Sequence, residues 1–396
     1  MKRYWKTLLI SFVSVMVIGF YYIQVAIAAK GDFTFKIETT SGNEAEIDNI
    51  SLAAYYQRAF YQRQLNISKD GSNSINVNRS QIDYMFGQEL PKIVKEYIEE
   101  HRQFMRGKQY YEENYFKDED YLVYAAIQDF DQVRPGDLLT VEVDVLELKT
   151  NERSSFEIQT PAQESYNWMG VRDVFMQDGK IKIVATGSLV NSGEELRIFT
   201  VDEKSKVLQE DKLIVKVASE AGIVTNLYLH TNSNESLNDN YYLYEIKKYK
   251  KMEYGGPSNE YLSHQLYVYN KLKNEVEEIV IPAEIKPKMT FLYGAQVFMP
   301  TYSADGIELN HYSIETQQWE EPLHYDYTIT VNKEEPPLVQ LMDEKLYIVN
   351  RVAGEHLLYI GDLRTGESLY EGKITAEHNE LSSNGKLHIA SVLKNN

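Results

Sequence analysis

One pattern constrains this chain more than any other: a turn followed by a strand, returning at intervals along its C-terminal part. Asp178-Gly179-Lys180-Ile181-Lys182-Ile183 matches Asn384-Gly385-Lys386-Leu387-His388-Ile389, and Asp343-Glu344-Lys345-Leu346-Tyr347-Ile348 matches both except at the glycine. A second motif is a strand that runs into a polar turn. Leu196-Arg197-Ile198-Phe199-Thr200-Val201 aligns with Leu309-Asn310-His311-Tyr312-Ser313-Ile314 and with Leu358-Tyr359-Ile360-Gly361-Asp362-Leu363. Leu266-Tyr267-Val268-Tyr269, followed by residues 270–274, is a weaker copy. The spacing is 43 residues from Leu266 to Leu309, 49 from Leu309 to Leu358 and 41 from Asp343 to Asn384. From Leu196 to Leu266 it is 70, with room for an insertion around the polar stretch 231–240 and the Gly255-Gly256-Pro257 break.

A unit of this size with about four short strands cannot bury its apolar face alone and must stack against copies of itself. That period is the signature of a β-propeller. The pattern of turn, strand, then Asp362-Leu363-Arg364-Thr365-Gly366-Glu367 resembles the degenerate blades of bacterial propeller proteins. The resemblance runs from Trp168 to Asn396 and implies an all-β propeller of about six blades, with five or seven as alternatives. Trp-Asp dipeptides are absent, so the blades are not of the WD type. The last copy has no room for a whole blade. Strands at 33–39 and 47–55, where Phe33, Phe35 and Ile37 alternate with polar residues, are expected to complete it. Residues 30–396 then form one propeller domain.

One segment departs from period two. Leu90, Ile93, Val94, Tyr97, Ile98, His101, Phe104 and Met105 recur at helical spacing, with Pro91 at the start and Gly107 after the end. This predicts one amphipathic helix over 89–106, inside an insertion near 81–107, with His101 packed beside its apolar stripe. Strands are expected at 121–130 and 138–148. In the second, Val141, Val143 and Val145 alternate with Glu142 and Asp144, which reads as one buried and one wet face.

The N-terminus carries Lys2, Arg3 and Lys6 ahead of an uncharged stretch, residues 7–29. About 20 apolar residues in a helix span a bilayer, and cations stay on the cytoplasmic side. Residues 1–29 are therefore expected to be a transmembrane anchor or a signal peptide. The small-x-small triplet Ala26-Ile27-Ala28 suits cleavage, while the apolar core exceeds an ordinary signal segment. The anchor puts the protein at the cell membrane, single-pass with its body outside the cytoplasm. Cleavage near Ala28 secretes it. This start, Met-Lys-Arg-Tyr-Trp-Lys before an apolar run, also resembles membrane-anchored extracytoplasmic proteins of bacilli, a likeness that implies no activity.

The net charge is −18, and without the first six residues −21. Nucleic acid is excluded as a partner, because phosphate contacts need excess cations. There is no cysteine, which rules out thiol nucleophiles, iron–sulfur clusters and disulfides. That suits an exported protein of a Gram-positive bacterium. Tyrosine is abundant at 31 residues, in keeping with strands whose half-buried faces carry rings and whose hydroxyls reach water.

No motif announces chemistry. Phosphate-cradling glycine loops, a Gly-x-Ser-x-Gly elbow and His-Glu-x-x-His are all absent. The histidines at 101, 230, 264, 311, 324, 356, 378 and 388 stand singly. The acidic runs Asp118-Glu119-Asp120 and 129–131, and the stretch 231–240, lack the ligand spacing of a calcium loop and read as solvated loops. No catalytic, cofactor-binding or metal-ligating residue is assigned, and no cofactor is expected. The sequence thus points to an extracytoplasmic binding, sensing or scaffold protein. Its partners are the membrane, through the N-terminal helix, and a protein or cell-wall polymer. The alternative is a propeller enzyme acting on cell-wall glycan or a small molecule.

Overall fold

In the computed structural model the described residues are 5, 9, 12–20, 34–58, 61–74, 91–128, 132–190, 193–218, 220–230, 240–250, 260–285, 289–302, 306–327, 337–376 and 385–395. The protein is all-β, built from small antiparallel sheets. The chain opens with β1 (Phe35–Gly42), β2 (Ile50–Arg58), β3 (Tyr61–Ser68) and β4 (Gly71–Ser74). Helices α1 (Lys92–Glu100) and α2 (Arg102–Met105) follow. Three meanders come next: β5 (Tyr115–Lys117), β6 (Tyr121–Ile127), β7 (Leu138–Glu147) and β8 (Glu152–Pro161); then β9 (Tyr166–Gln177), β10 (Lys180–Leu189), β11 (Glu194–Asp202) and β12 (Val207–Val217); then β13 (Ile223–His230), β14 (Tyr241–Lys250), β15 (Glu260–Asn270) and β16 (Glu275–Ile279). The remainder holds β17 (Phe291–Tyr293), β18 (Gln296–Tyr302), β19 (Ile307–Ser313), β20 (Gln318–Trp319), β21 (Leu323–Tyr325), β22 (Leu338–Met342), β23 (Lys345–Val352), β24 (Glu355–Asp362), β25 (Ser368–Ala376) and β26 (Lys386–Lys394).

These elements divide between two compact units. The first takes Met1–Met85, Asn232–Asn238 and Ala283–Asn396; the second takes Phe86–Thr231 and Asp239–Pro282. Each contains three sheets among the described residues.

The turn motif has a backbone cause. Asp178 and Gly179 have φ of 51° and 70°, and Asp343 and Glu344 have 50° and 58°. Two consecutive positive φ values make the two-residue hairpin that matches strand twist. Glycine takes this conformation freely, while a residue with a Cβ pays about 1–2 kcal/mol. The strand-then-turn motif is a five-residue closure. Lys206 N donates to Asp202 O, Asn274 N to Asn270 O, Gln317 N to Ser313 O and Gly366 N to Asp362 O, at 2.8–3.0 Å. The first residue's side chain accepts a second backbone bond: Ser205 N to Asp202 Oδ1, Lys273 N to Asn270 Oδ1, Thr365 N to Asp362 Oδ1. The recurring Asp or Asn is therefore an Asx turn. This geometry corrects one alignment. Asp202 is the partner of Ser313 and Asp362, so Ile198, not Leu196, is equivalent to Leu309 and Leu358. The slip is two residues, which keeps every side chain on its face.

In the first unit the chain ends meet in two separate sheets: the strand expected at 47–55 joins the last copy, while the one expected at 33–39 joins the sheet before it. β26 lies beside β2 in the order β26-β2-β3-β4, with Ile50 opposite Lys394 and Gln57 opposite Lys386. β1 adds to the far edge of β25 in β1-β25-β24-β23-β22, with Phe35 opposite Ala376. Gln340 on β22 ties the two sheets: its amide donates to Val392 O at 2.8 Å and accepts from Val392 N at 2.9 Å. Leu387, Ile389 and Val392 bury against Leu52, Ala54 and Ile67 in the same core.

In the second unit the helical insertion is broken. Residue 101 has φ −128° and ψ 46°, so α1 ends there, closed by His101 N to Tyr97 O, and α2 restarts with Met105 N to His101 O. The single helix expected over 89–106 is thus two. The break lets Val94, Tyr97, Phe104 and Met105 all bury against Leu122, Tyr124 and Leu146, which an unbroken stripe crossing a twisted sheet would not allow. Pro91 is the N-cap and Gly107, at φ 81°, follows the end. Residues 81–90 lie outside the described residues.

The insertion also covers part of the expected wet face of β7, where Glu142 is exposed but Asp144 is not. Asp144 is buried, clamped by Lys108 just beyond α2 and by Arg153 Nη2 at 2.8 Å, and Lys108 Nζ lies 4.1 Å from the Phe104 ring. Lys108 Nζ also donates to Phe104 O at 2.6 Å. Tyrosine departs from expectation in a related way. Among the described residues nine tyrosines, Tyr166, Tyr242 and Tyr269 included, are less than 2% exposed. Three of these hydroxyls meet internal acceptors: Tyr166 on Glu195 Oε1, Tyr242 on Asp173 Oδ2, Tyr269 on Asn274 Oδ1.

Near the N-terminus, residues 12–20 are helical and largely exposed. Among the described residues no helix is long and apolar enough to cross a membrane. Ala26-Ile27-Ala28 lies outside them.

Candidate functional site: a polar cleft in the second unit

Three strands bring together residues that are far apart in sequence. On β13 and β14, Tyr228 pairs with Glu245 and Asn226 with Lys247; on β14 and β15, Lys247 pairs with His264. Side chains two apart on a strand share a face. Tyr228, His230, Glu245, Lys247 and His264 therefore lie on one face of the sheet. Glu245 is the centre. It is 1% exposed, with Lys247 Nζ at 2.6 Å, His230 Nε2 at 3.3 Å and His264 Nε2 at 3.3 Å. A carboxylate this deep needs paired charge to stay ionised, and Lys247 supplies it. His264 is 4% exposed, His230 30%.

His230 is also the point where this buried cluster reaches a cleft. The cleft has a volume of ≈ 400 Å³ and is lined by Glu113, Trp168, Arg172, Thr186, Gly187, Ser188, Glu194 and residues 227–230. That size suits a small ligand or one segment of a polymer. Trp168 and Tyr228 are 45% and 42% exposed. The Trp168 ring lies against Gly170, where a Cβ would stand 2.5 Å from Cζ2. The Arg172 guanidinium sits 5.1 Å from the Trp168 ring, and Lys247 Nζ 5.4 Å from the Tyr228 ring. Arg172 Nε donates to Thr186 Oγ1 at 2.7 Å, which fixes the fork of the guanidinium. Glu194 Oε2 accepts from Leu227 N at 2.8 Å and so joins β11 to the open edge of β13.

The first unit has a second cleft of ≈ 380 Å³, lined by Glu284, Ile285, Pro300, Thr301, Tyr302, Glu308 and Asn310. Its polar groups are more committed. Asn310 Nδ2 already donates to Met299 O and Thr301 Oγ1, and burial pushes the Tyr302 hydroxyl up to about 12.

The histidines separate into distinct environments. His230 and His264 share Glu245. His101 caps the helix break, 3.6 Å from Glu100 Oε2, and burial lowers its pKa. His311 stacks on Phe298 and contacts Glu321 O at 2.9 Å; burial lowers it too. His324 lies on the surface near Asp326, His356 is buried, and His388 is exposed. His378 lies outside the described residues. Of the acidic runs, Asp118 caps a turn by accepting from Asp120 N and Tyr121 N. Residues 129–131 and 231–239 lie outside the described residues. Among the described residues no three His, Asp or Glu side chains are placed to hold a metal ion.

No family profile and no curated protein matches the chain. Distant similarity to solved structures exists. The chain is 10% identical to the polysaccharide lyase Uly1 over 67% of its length, with a TM-score of 0.31, and spans 57% of that protein. It is 12% identical to TolB from Acinetobacter baumannii over 89% of its length and 80% of TolB's, with a TM-score of 0.27. An apocarotenoid oxygenase of Synechocystis gives 9% over 83% of this chain and 71% of the other, with a TM-score of 0.35. Similarity of this size carries no activity across.

None of Trp168, Arg172, Tyr228, Glu245 and Lys247 stood out in the sequence. They come from three strands, β9, β13 and β14, and each alone is an ordinary strand residue. The register of β13 and β14 puts Tyr228, Glu245 and Lys247 together, and the cleft brings Tyr228 to Trp168 and Arg172 of β9.

Proposed function

We propose that this is an extracytoplasmic binding protein, held at the membrane by residues 1–29 or released by cleavage near Ala28, that captures a ligand in the cleft of its second unit. The carrying observation is the cleft itself, with two half-open aromatic rings beside a fixed guanidinium and a buried charged cluster. The six meanders, and the pairing of both chain ends within the first unit, support reading them as six blades of one propeller. Export rests on the basic, then apolar, N-terminus.

A photo-reactive phenylalanine analogue in place of Tyr228 tests the reading in intact cells. A discrete cross-linked species, absent when the same group replaces the exposed Val207, is the expected result. Equal labelling at both positions would sink it. A second reading is an enzyme acting on wall glycan or a small molecule. The observation behind it is that His230, 3.3 Å from the buried Glu245, lines the cleft, and an imidazole is the commonest general acid–base group. Chemical conversion of the captured species, lost in His230→Ala, would favour the enzyme.

A further inference from the structure

We infer that the cleft of the second unit recognises an uncharged, polyhydroxylated ring, a saccharide unit of a neutral glycan. The inference rests on the binding reading above and adds the ligand's chemistry. Three observations carry it.

The first is the balance of charge and hydrogen-bonding groups. Around the cleft stand one guanidinium, Arg172, and two carboxylates, Glu113 and Glu194, with His230 and the hydroxyls of Thr186 and Ser188 between them. Arg172 has used Nε on Thr186, so its terminal nitrogens are its remaining donors. Glu194 has used Oε2 on Leu227 N, which leaves Oε1 as an acceptor. His230 lines the cleft with Nε2 3.3 Å from Glu245 Oε2. A polyanion would face two carboxylates, and a cation would face Arg172. A ring of hydroxyl groups uses both kinds of partner, because each hydroxyl donates and accepts.

The second is the pair of rings. Trp168 and Tyr228 remain about half exposed. Arg172 and Lys247 already draw on the negative π-faces of these rings. The weakly positive C–H groups of a sugar ring meet the open part of the same surfaces in the same sense.

The third is what the cleft refuses. β13 is an edge strand, and an edge invites an added peptide strand. Here Glu194 occupies the Leu227 N–H at the cleft. A peptide backbone would have to displace a charge-assisted bond to pair there.

The test uses the full chain in detergent micelles. Its tryptophans are Trp5, Trp168 and Trp319. Replacing Trp5 and Trp319 by Phe leaves Trp168 as the reporter. An array of neutral glycans covering hexoses, N-acetylhexosamines, pentoses and deoxyhexoses is screened, with oligogalacturonate and chitosan oligomers as charged controls. The expected result is saturable quenching by a neutral glycan, with affinity at least 10-fold above both controls. Calorimetry should show a loss of 10-fold or more in Trp168→Ala and in Tyr228→Ala; both residues are exposed enough for the variants to fold. No saturable response to any neutral glycan overturns the inference, as does equal or tighter binding of a charged control, or binding unchanged in both variants. If Tyr228 cross-linking still captures a species, only the ligand class has failed. If it captures none, the binding reading has failed as well.

Discussion

Replacing Lys108 by Met probes the joint that holds the helical insertion to its sheet. The Lys108 side chain is 4% exposed and that of Asp144 10%, and Nζ is shared among Asp144, Phe104 O and the ring of Phe104. Methionine fills a similar volume but leaves Asp144 with Arg153, whose side chain is 44% exposed and partly screened by water. Removing one partner of a buried pair costs about 3–5 kcal/mol when no other partner remains. The retained Arg153 contact reduces this to an expected loss of about 2–3 kcal/mol, close to a 100-fold shift in the unfolding equilibrium at about 1.4 kcal/mol per factor of ten. Urea unfolding reads the total. Limited proteolysis within 92–106 reads whether the helices release first. The double variant Lys108→Met, Asp144→Asn should recover at least half the loss, because the unpaired charge is gone. A loss below about 1 kcal/mol in the single variant, or no recovery in the double, would refute the reasoning.

The same pair fixes a pH window. Burial pushes the Asp144 carboxyl up, but hydrogen bonds from Lys108, Ser155 and Arg153 together hold it below the ordinary carboxylate range. A carboxylate with a lowered folded pKa stabilises the fold above its unfolded value of about 3.9 and loses that contribution as pH falls through the folded value. The native protein should therefore lose stability on acidification below about pH 4, and the Lys108→Met variant should show a smaller part of that loss in the same titration.

Two further outcomes are expected. Gln340→Leu removes both bonds to Val392 and should cost about 1–3 kcal/mol, with faster amide exchange confined to β26 and its neighbours, read by hydrogen-exchange mass spectrometry. Gly170→Ala puts a Cβ into the space of the Trp168 ring, and should shift the fluorescence maximum of the Trp168-only protein while changing stability by less than about 1.5 kcal/mol.

Much of the fold was legible because it is local. Asp178-Gly179 and Asp343-Glu344 write the hairpin into two residues, and Asp202, Asn270, Ser313 and Asp362 write the five-residue turn into one side chain and its own backbone. Such signals need no distant partner, so they survive in the linear order. The pairing of β2 with the last repeat was legible by subtraction, since that repeat ended too soon; the place of β1 beside β25 was not. What failed depended on packing. The alternation in β7 correctly marks Val141, Val143 and Val145, yet Asp144 is buried because an insertion from elsewhere covers it. Helical spacing across His101 was real, but a straight helix could not follow the sheet beneath it.

The cleft is the clearest case. Trp168, Glu194, Tyr228 and Glu245 stand on four strands, and no spacing in the sequence relates them. Period two gives each residue a face but not a neighbour. Neighbours follow from register, and register is set by every turn and bulge along the meander at once. By itself the sequence determined an exported-looking start, an acidic body, a strand repeat and the turns that punctuate it. The tertiary structure alone decided which polar residues are buried and which meet in a cleft, because burial and proximity belong to the packed sheets and not to any segment of the chain.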